Sequence, residues 1–239
     1  MVLETEIAAS SDQIRMQEKL AIFLAFIAGY LDAFGLLKWK IYVSFMSGNT
    51  TQLGVAFSDG KLAIICTTFT VIGCFVLGIY IGTCLSLWKN CKIQTLPFYI
   101  VSGILIIYTA VSLYHNISTI LSIAIIGFST GVMNTIVTSV GNQQINTDFV
   151  TGTLNSLARN TAMLNMSHDE TNRKQYKLNA IHLLLLWTGF LSGAFTVPFL
   201  LPSLGNWTLS LPAVLLLICA LFMPSTDFNL KTKSYAAEK

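Results

Sequence analysis

Long apolar runs separated by short polar segments dominate the chain. Six of the runs approach the roughly 20 helical residues that are needed to cross the hydrocarbon core of a bilayer. They cover residues 20–37, 62–88, 96–114, 117–140, 178–201 and 207–223. The pattern therefore predicts an all-α membrane protein with about six transmembrane helices.

Two polar segments interrupt this pattern. The first, within residues 42–58, contains Ser47, Gly48, Asn49 and Thr50; the second, within residues 142–158, contains Thr151, Gly152 and Thr153. Polar backbone at the depth of a bilayer is tolerated only where protein or a water-filled cavity surrounds it. We therefore expect each segment to be re-entrant or a short broken helix inside the bundle. The alternative, in which both segments cross the membrane and give eight spans, fits the charge distribution nearly as well.

The two polar segments belong to an internal repeat. Phe45-Met-Ser-Gly-Asn reappears as Phe149-Val-Thr-Gly-Thr, and Gly29-x-x-Asp32 reappears as Gly131-x-x-Asn134. Three spans in each half would insert the halves upside down relative to each other, and inverted repeats of this kind recur in transporters. The predicted organisation is an N-terminal tail (1–19), one membrane domain (20–224) and a C-terminal tail (225–239). Within the membrane domain, the first repeat covers about 20–115 and the second about 117–224.

Charged residues make up only 10% of the 239 residues, against about a quarter in soluble domains. Most lysines and arginines lie in loops and tails on the side of the N-terminus, so the positive-inside rule predicts cytoplasmic termini in a plasma or inner membrane. These basic residues follow the ends of the spans, so the net charge of +3 indicates lipid, and no nucleic acid, as a partner. The five cysteines show no CxxC pairing and predict neither a disulfide framework nor a metal site.

Asp32 is the one carboxylate well inside an apolar span. Near the centre of a membrane helix such a group costs roughly 2.5–3.5 kcal/mol, so its side chain should face protein or water. Its helical face carries small residues such as Gly29, which allow another helix to approach closely. Asn134 holds the equivalent position in the second half, where a functional role and a simple tie between helices are equally good interpretations. The face opposite Asp32 suits lipid or a bulky neighbour and carries Phe23, Phe26, Tyr30 and Phe34.

Ser47 and Thr151 are residue types that favour the N-cap of a helix. If each starts a short helix in mid-membrane, free backbone N–H groups and the positive end of the helix dipole would face a polar or anionic solute. The alternative is that small hydroxyl residues and glycines only allow close packing. Packing also explains the GxxxG steps of the second and fifth spans, within one bundle or between the protomers of a homo-oligomer. These steps are Gly78-x-x-x-Gly82 and Gly189-x-x-x-Gly193.

The leading hypothesis is a secondary transporter or permease for a small polar or anionic solute, with Asp32 as the candidate proton-linked group. The predicted pathway is lined by Asp32, Ser47, Gly48, Asn49, Thr50, Asn134, Thr151, Gly152 and Thr153. The alternative is a non-transporting membrane scaffold or assembly protein whose polar repeats serve helix packing, and a passive channel is third. No catalytic residue, metal or cofactor is predicted, since no histidine is spaced to pair with a nucleophile, a carboxylate or another metal ligand.

The paired motifs resemble those of the YoaK family, small bacterial integral membrane proteins without an established function. The matching motifs are Gly29-x-x-Asp32-Ala33, Phe45-x-Ser-Gly-Asn-Thr50, Gly131-x-x-Asn134 and Thr151-Gly-Thr-Leu154. The resemblance covers about residues 20–223 and implies a bacterial inner-membrane protein with about six helices. It implies no substrate and no site residues. Met133 departs from the family pattern, because many relatives have Gln there.

Overall fold

The computed structural model describes residues 2–87, 95–136, 139–140, 143–144 and 150–222, with side chains from residue 15 onward except those of 137–149. The elements follow one another as α1 (Val2–Trp39), α2 (Met46–Ser58), α3 (Leu62–Leu87), α4 (Leu96–Tyr114), α5 (Thr119–Met133), β1 (Ser139–Val140), β2 (Gln143–Gln144), α6 (Val150–Met166), α7 (Glu170–Leu204), a 3-10 helix (Gly205–Leu209) and α8 (Ser210–Phe222). The two short strands pair antiparallel, Ser139 with Gln144 and Val140 with Gln143.

The helices confirm an all-α membrane protein, apart from the two-residue strands. Among the described residues, four stretches are long and apolar enough to cross a membrane: Arg15–Trp39, Leu62–Leu87, Leu96–Tyr114 and Glu170–Leu221. The fourth predicted span, 117–140, is wrong at its end, because α5 is a shorter apolar helix that stops at Met133. The predicted tail 1–19 is continuous with the first span in α1. The predicted tail 225–239 lies outside the described residues.

Helices α1 and α7 lie side by side and run in the same direction. Gly189 lies against the backbone of Ile22, and Gly193 lies against the carbonyl oxygen of Phe26. Residue numbers therefore increase together along both helices, which makes the pair parallel. Gly29 of α1 returns the contact, because a Cβ atom there would overlap the carbonyl oxygen of Phe190. Glycines on both helices thus bring the two backbones together.

Helices α3 and α5 form a second pair of the same kind. Gly127 packs on Val71, and Gly131 packs on the carbonyl oxygen of Phe75, so this pair is also parallel. Gly78 of α3 reciprocates, because a Cβ atom there would overlap the carbonyl oxygen of Phe128. The GxxxG steps left open by the sequence therefore pack inside one chain.

Helix α1 is buried or half-buried on all sides between Leu20 and Gly35. Tyr30 and Phe34, on the face that suited lipid or a bulky neighbour, are both almost fully buried. The Tyr30 hydroxyl donates to the carbonyl oxygen of Thr208 at 2.7 Å, which ties α1 to the 3-10 helix. The bulky-neighbour interpretation is therefore confirmed for these two rings. Buried residues of α1, α4, α5, α7 and α8 form most of the main apolar core.

Lys40 ends α1 in the left-handed backbone region, with φ of 59°. Its amide donates to the carbonyl oxygen of Leu36 at 3.1 Å, which caps the last turn. A left-handed conformation costs an L-residue roughly 1–2 kcal/mol, whereas glycine adopts it freely. We expect Lys40→Gly to raise the free energy of unfolding in detergent by about 1 kcal/mol. Lys38→Gly, placed within the helix, should lower it, and a loss of stability in Lys40→Gly would contradict this account of the turn.

Candidate functional site

After Lys40 the chain turns back along α1. We call residues 40–45 the return segment. The amide of Ile41 donates to the carbonyl oxygen of Gly35 at 3.5 Å, and the amides of Val43 and Ser44 reach Asp32, which lies further down the same helix. The return segment therefore runs antiparallel to α1.

Asp32 holds the return segment through three hydrogen bonds. Its Oδ1 accepts from the backbone amides of Val43 and Ser44, at 2.8 and 2.7 Å. Its Oδ2 accepts from the hydroxyl of Ser44 at 2.8 Å. The side chain is 3% exposed, and no cation pairs with it in the described part of the chain. A buried carboxylate needs such donors, and here backbone dipoles supply most of them.

Two further side chains bind the carbonyl groups of the return segment. The amide nitrogen of Asn49 donates to the carbonyl oxygen of Tyr42 at 2.8 Å. The hydroxyl of Thr130, from α5, lies 2.6 Å from the carbonyl oxygen of Val43 and can donate to it. Non-helical backbone away from water requires partners of this kind. Polar residues from α1, α2 and α5 therefore meet at one short stretch of backbone.

Helix α2 starts inside the bundle and leads back out. Met46 packs on a small cluster that includes Val71 of α3. Val71 lies nine residues into α3, which corresponds to about 14 Å along the helix axis. The other end of α2 connects to the start of α3 through a tight turn at Gly60, with φ of 64°. The return segment and α2 together enter the helix bundle and leave it on the same side.

The predicted N-caps are wrong. Helix α2 begins at Met46 with Phe45 as its cap residue, which makes no side-chain capping bond, so Ser47 lies inside the first turn. Helix α6 begins at Val150, so Thr151 also lies inside the helix. The hydroxyl of Thr50 donates to the carbonyl oxygen of Met46 within α2. These hydroxyl groups are therefore not the caps that start the short helices.

Part of the first polar segment lines an open cavity of about 550 Å³. Its wall includes Tyr42 and Phe45 of the return segment, whose rings meet edge-to-face with centroids 5.3 Å apart. Ser47 and Gly48 line it further along α2. The remaining lining residues are Thr51, Gln52, Val55, Ala56, Asp59, Lys61 and Ile64.

The structure does not gather the nine predicted residues into one pocket. Among the residues that line the cavity, Ser47 and Gly48 are the only members of that set. Asn49 is fully buried and does not line the cavity. Asp32 is linked to the cavity only through the return segment. In the second half, Asn134 ends α5, and the start of α6 carries exposed Thr151 and partly buried Gly152 and Thr153. Residues 145–149, the counterpart of the return segment, lie outside the described residues.

The comparisons with known proteins agree with the resemblance. A family model described as "Protein of unknown function (DUF1275)" matches residues 20–222. The chain belongs to this family. Within it, the chain is 27% identical over 208 residues to the UPF0700 transmembrane protein RA0705 of Rhizobium meliloti (strain 1021), with 86% of each chain covered. It is 23% identical over 207 residues to the UPF0700 transmembrane protein YoaK of Bacillus subtilis (strain 168), covering 82% of this chain and 89% of the relative. No solved structure matches the chain.

Sequence reasoning missed Ser44 and assigned no site role to Thr130. The hydrogen bonds from Ser44 to Asp32 span twelve residues, and those from Thr130 to Val43 span 87. Neither distance follows a helical period. The available signal was weaker: Ser44 is a hydroxyl residue among apolar neighbours at the start of the range 42–58, and Thr130 shares a helical face with Asn134.

Proposed function

We propose that this membrane protein is a secondary transporter or permease for a small polar or anionic solute, coupled to protons through Asp32. One observation carries the proposal: a buried carboxylate, with no cationic partner among the described residues, holds the non-helical return segment in front of the short polar helix α2. Broken elements of this kind form the binding sites of many transporters. An ionisable group kept inside a membrane bundle is by default a candidate for a functional role.

The solute would enter through the cavity beside α2. Its wall combines the rings of Tyr42 and Phe45 with the hydroxyl of Ser47 and the backbone of Gly48. Asp59 and Lys61, whose charged groups pair at 2.7 Å, also line it. Such a wall offers hydrogen bonds to a polar solute and a flat apolar surface to the rest of it. The start of α6, with Thr151, Gly152 and Thr153, would be the corresponding element of the second half.

The helix contacts support an inverted repeat. Ile41 and Val43 descend along α1 while contacting α5 at Ile123 and Thr130, so α5 runs antiparallel to α1. The parallel pairs α1–α7 and α3–α5 then relate the halves by an upside-down operation. The same glycine contacts occur in both pairs at equivalent positions. In the second pair, Phe128 and Gly131 of α5 take the places of Phe26 and Gly29 of α1. Likewise, Phe75 and Gly78 of α3 take the places of Phe190 and Gly193 of α7. Together with the positive-inside pattern, this arrangement favours six spans with both termini in the cytoplasm.

A transport assay in proteoliposomes tests the proposal. A panel of small polar and anionic solutes should include at least one whose uptake rises with an inward proton gradient. Asp32→Asn should fold, as judged by a monodisperse elution profile, and should abolish the response to the gradient. Glu170→Gln, which changes an exposed carboxylate at the start of α7 that does not line the cavity, should retain that response.

The scaffold hypothesis makes the opposite forecast. If Asp32→Asn and Ser47→Ala change neither uptake nor solute-induced thermal stabilisation anywhere in the panel, the polar repeats serve packing alone.

A further inference from the structure

Ser44 contacts Asp32 through two groups, its backbone amide and its hydroxyl. We infer that Ser44 is a positioning residue that lets Asp32 gain and lose a proton while the return segment stays attached to α1. The inference rests on the proposed function, because it gives a route to the proton coupling assigned to Asp32. It assigns a role to a residue that neither the repeat nor the family resemblance singles out.

The two forms of Asp32 differ in the hydrogen bonds that they can make. An ionised carboxylate is an acceptor only, and the groups that face Asp32 all donate to it: the amides of Val43, Ser44 and Phe45 and the hydroxyl of Ser44. A proton taken up from water forms an O–H bond on Oδ2 and turns that oxygen into a donor. A backbone amide cannot accept this hydrogen, whereas a hydroxyl can rotate and accept it. Of these donors, only the Ser44 hydroxyl can therefore satisfy both forms of the acid.

The two amides remain on Oδ1 in both states, but their bonds change in strength. Hydrogen bonds to a charged acceptor are roughly twice as strong as bonds between neutral groups. Protonation should therefore loosen the return segment without releasing it. Tyr42 and Phe45 flank Val43 and Ser44 and line the cavity, so a looser segment changes the aromatic wall of the proposed solute site.

No other titratable side chain competes for Asp32 in the described residues. On α1, Tyr30 is bonded to Thr208. On the return segment, Lys40 is exposed, and Tyr42 lines the cavity with its ring against Phe45. Helix α5 carries no titratable side chain. His182 of α7 faces Glu18, which lies fourteen residues before Asp32 on α1. Among the described residues, the protonation state of Asp32 therefore acts directly on the return segment.

Amide hydrogen exchange across pH tests the inference in the intact, detergent-solubilised protein. After correction for intrinsic exchange, the amides of Val43 and Ser44 should lose protection by about tenfold as Asp32 becomes protonated. Asp32→Asn should remove this pH step. In Ser44→Ala the step should grow by at least about fivefold, because the protonated acid then has a buried donor without an acceptor. Ser44→Thr should restore the wild-type step, and Ser112→Ala, a control on α4 whose hydroxyl donates to the carbonyl oxygen of Thr109 in the same helix, should leave it unchanged.

A stability cycle tests the same point if Ser44→Ala is poorly folded at acidic pH. Asparagine at position 32 mimics the protonated acid, since its Nδ2 can donate to the Ser44 hydroxyl. Asp32→Asn should therefore be tolerated with Ser44 present and should destabilise the protein much more in combination with Ser44→Ala. Additive effects, or identical pH steps in wild type and Ser44→Ala, would overturn the inference, as would the absence of a step in wild type. A pH step without solute uptake would instead refute the transport function and leave the role of Ser44 intact.

Discussion

Gly193→Ala is expected to prevent α1 and α7 from reaching their native distance. A Cβ atom at Gly193 would overlap the carbonyl oxygen of Phe26, and backbone cannot move aside as a flexible side chain can. Overpacking of a tight interior costs typically 1–3 kcal/mol, and a clash with backbone falls at the upper end, at about 3 kcal/mol. The thermal unfolding midpoint in detergent should fall steeply, with loss of the monodisperse fraction.

Matched glycine substitutions show whether position or residue type matters. Gly73→Ala in α3 and Gly103→Ala in α4 meet no atom within 4 Å, so both should be neutral or slightly stabilising. Gly78→Ala in α3 stands at the position equivalent to Gly193 and should be as harmful as Gly193→Ala. Equal stability of Gly193→Ala and Gly73→Ala would show that the α1–α7 contact is loose. A harmful Gly193→Ala beside a neutral Gly78→Ala would argue against equivalent halves.

The helix pairs also explain why the two halves cannot act as separate modules. Each tight pair joins one helix of the first half to one of the second, α1 to α7 and α3 to α5. Each of the two helices that follow a polar segment packs mainly on a member of one pair: α2 packs on α3, and α6 packs on α7. If the two pairs moved relative to each other, α2 would therefore move with the α3–α5 pair and α6 with the α1–α7 pair. In the proposed transporter, such a movement would correspond to the rocking of one unit against the other that alternating access commonly uses.

The long helices could be predicted from the sequence because their boundaries follow from hydrophobic length and local chain breaks. Helix α4 runs from Leu96 to Tyr114, as the apolar pattern predicts, with Pro97 at its first turn and a polar connection after it. Helix α5 could not be predicted as well, since apolar residues continue past Met133 while the helix stops. The turn at residues 134–136, which ends α5, contains no proline or glycine that would signal the end of a helix.

The sequence predicted single residues of the site but not the contacts between them. A lone carboxylate in an apolar helix indicated that Asp32 has a special environment, and its burial agrees with that expectation. Most of its partners are backbone amides of the return segment, which no residue pattern can specify, because every residue except proline carries the same donor. The same reason explains Asn49: its side chain suggested a solute ligand, whereas its amide nitrogen binds the carbonyl oxygen of Tyr42.

Asp32→Ala is expected to detach the return segment from α1. It removes the acceptor of the Val43 and Ser44 amides, both in a region shielded from water, and each orphaned donor costs about 1–3 kcal/mol. We expect a loss of about 3 kcal/mol in the free energy of unfolding, measured by denaturant titration in mixed micelles. Limited proteolysis should cut the chain between Lys40 and Met46 in this variant.

Asp32→Asn separates the loss of the acceptor from the loss of charge. The asparagine oxygen can still accept from both amides, and its nitrogen can donate to the Ser44 hydroxyl, so the cost should be only about 1 kcal/mol. Asp59→Ala removes a carboxylate that is exposed and paired with Lys61, and it should change stability by less than about 1 kcal/mol. If Asp32→Ala is no more harmful than Asp32→Asn, the amides of Val43 and Ser44 find other acceptors. The carboxylate would then not be what holds the return segment inside the bundle.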